Sequence, residues 1–131
     1  MGRRGLQIFL VVLGVVAVTV GAWTVLRGAA AITGSGPVSP TIDSELRFAN
    51  AWYAGAGALL LYVARRPEAH TALIRGMCSV LLVAAAGRGV SWATVGRPEG
   101  LYLALLAVEV LIAAVVWPWQ TAVARRCAGE T

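Results

Sequence analysis

The sequence contains few charged residues for its length. They make up 13% of the 131 residues, whereas 59% of the residues are hydrophobic. A typical soluble domain is about a quarter charged and about half apolar. So few charges cannot cover a soluble surface, and the mean hydropathy of +0.77 agrees. The composition therefore predicts an integral membrane protein.

Lysine is absent, so all eleven basic residues are arginines, and the net charge is +5. The arginines stand at the ends of apolar segments, unlike the clustered basic stripe of a nucleic-acid-binding surface. We therefore expect no nucleic-acid partner. An abundance of Ala, Val, Gly and Arg without Lys is typical of GC-rich bacterial genomes, and this indicates a bacterial plasma membrane.

Metal ligands and catalytic motifs are also scarce. Cys78 and Cys127 form no CxxC motif, and the single histidine, His70, is distant from both in sequence. A structural zinc site needs four close ligands. The sequence also has no GxSxG, HExxH or phosphate-binding loop. We expect no metal, no cofactor and no enzymatic activity.

Four apolar segments account for most of the chain, at residues 6–27, 44–64, 71–93 and 100–120. Each has about 20 residues, enough for a helix to cross the ~30 Å hydrocarbon core. A lone segment crosses lipid only as a helix, because its N–H and C=O groups must be satisfied internally. The prediction is an all-α, antiparallel four-transmembrane-helix bundle forming one domain over residues 1–131. The alternative of a cleaved signal peptide at the first segment is disfavoured, since signal h-regions have about 7–15 residues.

Arginine placement predicts the orientation of this bundle. Arginine pairs precede the first segment, separate the second from the third, and follow the fourth: Arg3–Arg4, Arg65–Arg66 and Arg125–Arg126. The positive-inside rule then puts both termini in the cytoplasm. The long connection at residues 28–43 lies outside, and there we expect Thr41 or Asp43 to cap the second helix.

A few polar side chains interrupt the apolar segments. Glu109 lies about 13 Å deep by helical rise, where a lone charge costs about 2.5–3.5 kcal/mol. Arg88 and Arg47 reach similar depths, so we expect one or both to pair with Glu109 inside the bundle. The predicted polar cluster, a structural lock or a site for a ligand or partner, comprises Glu45, Arg47, Asn50, Arg88, Ser91 and Glu109.

Weaker signals concern packing and the membrane interface. Small residues at helical spacing allow two helices to approach closely. Such faces are predicted on the second helix at Ala51, Gly55 and Ala58, and on the first at Ala17 and Gly21. Arg75, near the inner end of the third helix, is expected to extend towards the interface.

Three stretches resemble a bacterial family known as domain of unknown function 4345. They are "SELRFANAWYAGAGALLLYVARRP", "GRGVS" and the glutamate within "LALLAVEVL". The resemblance covers the chain from about Gly36 onward and implies four hydrophobic helices. It implies signature positions at Glu45, Arg47, Gly55, Gly57, Arg88 and Glu109. Asn50 departs from the family pattern, which often has glycines there. The resemblance implies no activity.

Three functions are compatible with these features. The favoured one is a non-enzymatic accessory or interaction subunit of a membrane complex, with a protein partner or a second copy in the bilayer. The alternative is a small-molecule or lipid binder or transporter that uses the Arg/Glu site in the outer half of the bundle. A membrane enzyme is the third and has the least support, because no nucleophile–base pair or metal cluster is present.

Overall fold

The computed structural model describes residues 2–129, and these form four α-helices joined by one long and two short connections. The helices are α1 (Arg3–Arg27), α2 (Pro40–Val63), α3 (Thr71–Val95) and α4 (Gly100–Gly129). A 3-10 turn, Gly28–Ala31, follows α1. The prediction of an all-helical chain with four helices is confirmed.

Within the described residues, three stretches are long and apolar enough to cross a membrane: Arg3–Ala31, Thr71–Val95 and Gly100–Gly129. The helix α2 is not among them, because Arg47 and Asn50 interrupt its apolar sequence. Large apolar side chains also point outward, as Val83 does with 71% of its surface exposed. An outward-facing apolar surface is what a lipid-embedded helix presents.

The start of α2 differs from the prediction. The helix begins at Pro40, and Ser39 is its N-cap, accepting a hydrogen bond from the Ile42 backbone N–H at 3.3 Å. Neither Thr41 nor Asp43 caps it, so that expectation is wrong. Proline is favoured at the first helical position, since its missing N–H is not needed there. The helix therefore begins one turn earlier than the apolar pattern indicated.

The end of α4 also differs from the sequence pattern. The helix continues through Pro118 to Gly129, past the predicted end at Gln120. Gln120 and Val123 are buried, so the residues after Pro118 pack rather than fray. Packing of this kind maintains a helix beyond a proline that removes one backbone hydrogen bond.

The chain divides into two compact units. The first unit is Gln7–Arg65, and the second comprises the start of the chain to Leu6 together with the chain from Arg66 onward. In the first unit, a Cβ placed on Gly57 would lie 2.7 Å from the backbone nitrogen of Val18. A Cβ on Gly21 would lie 2.7 Å from the backbone nitrogen of Ala54. Backbones this close require glycine, so the two helices meet along a glycine-lined contact.

This contact uses one of the two small-residue faces that the sequence indicated. Gly21 and Ala17 of α1 are in it, as expected, because Ala17 Cβ lies close to the Gly57 position. On α2, however, the contact runs through Ala54 and Gly57, not through Ala51, Gly55 and Ala58. All three of the latter are exposed. The small-residue face of α2 at Ala51, Gly55 and Ala58 therefore lies outside the contact with α1.

In the second unit, hydrogen bonds join the start of α3 to the end of α4. Gln120 Nε2 donates to Thr71 Oγ1 at 2.6 Å, and Arg75 Nη2 donates to Thr121 Oγ1 at 3.0 Å. Apolar residues from both helices are buried in this unit: Ile74, Cys78, Ala85, Ala113, Val116 and Val123. We call the end of the pair near Thr71 the Thr71 end, and the other the Gly100 end.

Candidate functional site

Glu109 forms an ion pair with Arg88. Arg88 Nε lies 3.1 Å from each carboxylate oxygen of Glu109, so one N–H is shared between the two oxygens. The Glu109 side chain is 15% exposed and that of Arg88 is 39% exposed. The carboxylate is therefore the more buried partner. A guanidinium at this distance offsets much of the cost of keeping a carboxylate charged in apolar surroundings.

A cavity of about 130 Å³ lies beside this ion pair, towards the Gly100 end. One water needs only about 10–15 Å³, so the cavity has room for a small organic group. It is lined by Arg88, Ser91, Pro98, Tyr102, Leu103 and Leu106. Three of these side chains are polar and three are apolar, which is the composition of a site for an amphiphilic molecule.

The polar side chains of the cavity have unused hydrogen-bond donors. The hydroxyls of Ser91 and Tyr102 form no hydrogen bond with any residue between 2 and 129. Arg88 bonds Glu109 only through Nε, which leaves its terminal amino groups available. The Arg88 guanidinium carbon lies 6.0 Å from the centre of the Tyr102 ring. The cavity therefore offers donors to a ligand that carries acceptor oxygens.

Arg47 has a different environment from the one expected. Its Nε donates to Asp43 Oδ2 at 2.7 Å, and its Nη1 donates to the carbonyl of Val25 at 2.7 Å and that of Leu26 at 3.2 Å. These carbonyls are in the last turn of α1, where backbone acceptors lack helical partners. Arg47 thus donates hydrogen bonds to free backbone carbonyls at the C-terminal end of α1. Asp43 balances the charge of Arg47 within the first unit.

The same arrangement includes the turn after α1. Asp43 Oδ1 accepts a hydrogen bond from the Ala29 N–H at 2.8 Å. The hydrogen bond from Arg47 and that from Ala29 hold the pKa of the Asp43 carboxyl below its usual range. Gly28 has φ of +60°, and a Cβ at that position would collide with Asp43 Oδ1. The turn therefore requires glycine.

The other two predicted members of the cluster on α2 have local roles. Asn50 Nδ2 donates to the carbonyl of Leu46 at 2.8 Å, one turn back in its own helix. Glu45 is exposed. Of the six predicted residues, the structure brings Arg88, Ser91 and Glu109 together in the second unit. Glu45, Arg47 and Asn50 are in the first unit.

Sequence reasoning missed Tyr102 and the cavity itself. Tyr102 lies seven residues before Glu109, a separation that puts two helical residues on the same face. The sequence signal that could have revealed Tyr102 is an aromatic hydroxyl on the same helix face as the Glu109 carboxylate. Sequence spacing alone does not reveal a cavity, because a cavity depends on which side chains leave space between two packed helices.

The second unit has another ion pair at the Thr71 end, where Arg3 donates to both oxygens of Glu68 at 2.9 and 2.8 Å. Burial raises the pKa of the Glu68 carboxyl, but the hydrogen bond from Arg3 and the charges of Arg3 and Arg66 outweigh it. The net pKa of Glu68 is below its usual range. Within residues 2–129, no group of three or more His, Cys, Asp or Glu side chains is placed to hold a metal ion.

These features define a class: a small helical protein with three helices suited to crossing a membrane and a charged pair inside one helix pair. The model of the family described as "Domain of unknown function (DUF4345)" matches residues 5–120. The chain belongs to this family, which confirms the resemblance seen in its motifs. No curated protein and no solved structure matches the chain.

Proposed function

We propose that this protein is a non-enzymatic membrane protein that binds a small amphiphile, or the head of a lipid, in the cavity beside Arg88. The observation that carries the proposal is the set of unused donors in that cavity. Arg88, Ser91 and Tyr102 supply N–H and O–H groups, and a carboxylate or phosphate is the acceptor that such groups favour. The leucine and proline walls suit an alkyl chain.

The proposal includes a membrane arrangement. The four helices form an antiparallel bundle in a bacterial plasma membrane, with α2 as the fourth span and both termini in the cytoplasm. The order of contacts between α3 and α4 supports opposite directions for that pair, since Thr71 meets Gln120 while Arg88 meets Glu109. The arginine pairs support the orientation. In this arrangement the cavity is in the outer half of the bilayer.

Octanoate is a suitable probe, because it combines a carboxylate with a short alkyl chain. The purified protein in a non-ionic detergent is titrated with octanoate, and its melting temperature is followed. A ligand that binds only the folded state stabilises it by about 2.7 kcal/mol at 100 times its Kd. We expect octanoate to raise the melting temperature and octanol, which lacks the charge, to raise it less.

Variants decide whether the effect comes from this cavity. Ser91→Ala with Tyr102→Phe removes two donors and leaves the Arg88–Glu109 pair intact. This double variant should lose most of the octanoate effect. Arg97→Ala is the matched control, since Arg97 is an exposed arginine in the loop at the same end. An unchanged response in the double variant would exclude the cavity as the binding site.

A second candidate function is an accessory or interaction subunit of a membrane complex. It is favoured by the small-residue face of α2, where Ala51, Gly55 and Ala58 are exposed. A Cβ on Gly55 would meet no atom within 4 Å, so the backbone of another helix has room to approach there. Gly55→Leu should then prevent a stoichiometric partner from co-purifying, whereas the octanoate response should remain.

A further inference from the structure

Arg75 differs from the other half-buried arginines of the described chain, which are Arg47 and Arg88. Each of those two is paired with a carboxylate: Arg47 with Asp43, and Arg88 with Glu109. Arg75 has no carboxylate partner among residues 2–129. Its positive charge in the α3–α4 pair is therefore unbalanced within the described chain.

The protein nevertheless holds the Arg75 guanidinium in one place. Nη2 donates to Thr121 Oγ1 at 3.0 Å, and the guanidinium carbon lies 5.8 Å from the centre of the Trp117 ring. Thr121 is itself fixed, because its hydroxyl donates to the Trp117 carbonyl at 2.9 Å. The Nε atom is buried and has no hydrogen-bond partner in the described chain. A cation so fixed loses little further side-chain entropy when it binds an anion.

The surroundings of Thr121 reinforce the positive charge. Arg125 lies four residues after Thr121 on α4, and residues at this separation lie on the same helix face. Arg125 is exposed and forms no salt bridge with any described residue. Glu68, the acidic residue that the described chain has at this end, is already paired with Arg3. Within the described chain, two arginines without a carboxylate partner, one bonded to Thr121 and one a helical turn after it, therefore lie at this end.

We propose that Arg75 and Arg125 hold the phosphate of an anionic phospholipid at the Thr71 end of the α3–α4 pair. Arginine binds phosphate strongly because its planar group of donors matches the phosphate oxygens. In the membrane arrangement proposed above, this end is at the cytoplasmic face, where anionic lipids attract basic side chains. The same arrangement puts Trp117 at the boundary between hydrocarbon and headgroups, which tryptophan favours.

The test uses the purified full chain in a non-ionic detergent. Phosphatidylglycerol is titrated against it, with phosphatidylcholine as the zwitterionic control and glycerol phosphate as the headgroup without acyl chains. We expect phosphatidylglycerol to raise the melting temperature at a lower concentration than either control. Equal stabilisation by phosphatidylcholine would overturn the proposal. Equal stabilisation by glycerol phosphate would exclude a lipid as the specific ligand and also overturn it.

Variants locate the site. Arg75→Gln and, separately, Arg125→Gln should each weaken the apparent affinity for phosphatidylglycerol by about tenfold, the effect of one charge-assisted hydrogen bond. Arg97→Gln removes an exposed arginine at the Gly100 end and should leave the affinity unchanged. If Arg75→Gln fails to fold, Arg125→Gln alone decides. The proposal is refuted if the arginine variants that fold bind phosphatidylglycerol as tightly as the parent chain does. The octanoate response of the Arg88 cavity is a separate measurement, so either proposal can fail without the other.

Discussion

At the scale of single residues, Glu109 and Arg88 form the ion pair of the α3–α4 helix pair. Both oxygens of Glu109 lie 3.1 Å from Arg88 Nε. The net stabilisation by such a pair is small, because the cost of desolvating both charges offsets the attraction. Removing one member costs more free energy, because the remaining charge is then buried without a partner. The two partners must therefore be changed both separately and together to learn what the pair contributes.

We predict that Glu109→Leu lowers the free energy of unfolding by about 1–2 kcal/mol. Breaking a fully buried pair costs about 3–5 kcal/mol, but Arg88 is partly exposed and side chains in lipid find other partners. Combining Glu109→Leu with Arg88→Leu should recover part of the loss. Thermal unfolding of the three variants in detergent measures the coupling.

The outcomes of this cycle separate several roles for the pair. Glu109→Leu with Arg47→Leu should show additive losses, because Arg47 has its own carboxylate partner in Asp43. If the Glu109/Arg88 double variant is stable and also retains the cellular role of the protein, the pair is only a structural lock. If it is stable but inactive, the charges serve a ligand, a proton or a partner. A Glu109→Leu variant as stable as the parent chain would show that the pair contributes nothing.

At the scale of elements, the contact between α1 and α2 depends on glycine. Gly57 is buried, and an added Cβ would lie 2.8 Å from the Gly14 carbonyl oxygen as well as 2.7 Å from the Val18 nitrogen. These neighbours are backbone atoms, which cannot rotate away as a side chain does. Any larger residue must therefore push the two helices apart.

The matched pair Gly57→Ala and Gly55→Ala tests this contact. Gly57→Ala should destabilise the protein by about 1–3 kcal/mol, the usual cost of overpacking. Gly55 meets no atom within 4 Å, so Gly55→Ala should be neutral or stabilise by up to about 1 kcal/mol through helix propensity. The measurement is the melting temperature of each variant in the same detergent. Equal effects would contradict a glycine-dependent contact at Gly57.

At the scale of the whole molecule, the testable property is orientation in the membrane. The proposed arrangement puts the end of α4, including Cys127, in the cytoplasm. We predict that a membrane-impermeant thiol reagent added to intact cells leaves Cys127 unlabelled and labels it once the cells are permeabilised. Cys78 is buried, and we replace it by alanine so that any label on the chain must be on Cys127.

The positive control places a cysteine in the long connection. Thr33→Cys, in a chain that also carries Cys78→Ala and Cys127→Ser, puts a single thiol at an exposed position between α1 and α2. This thiol should react in intact cells. Labelling of Cys127 from outside, or protection of the introduced thiol in the Thr33→Cys variant, would overturn the proposed orientation.

The sequence by itself determined that the chain is apolar and helical. Runs of about 20 apolar residues leave the backbone of a membrane protein no alternative to the helix, and four helices are present. It also showed that Glu109 needs a cation, since a lone carboxylate in apolar surroundings is costly. Family membership followed from short motifs around Arg47, Arg88 and Glu109.

Only the tertiary structure decided which groups meet. It paired Glu109 with Arg88, used Arg47 to satisfy the end of α1, and packed α2 through Gly57 instead of Gly55. The physical reason is that α3 and α4 are apolar on nearly all sides. Hydrophobic periodicity then does not identify the packed face. The choice among arginines, and the cavity beside Tyr102, depend on the rotation and depth of each helix against its neighbour.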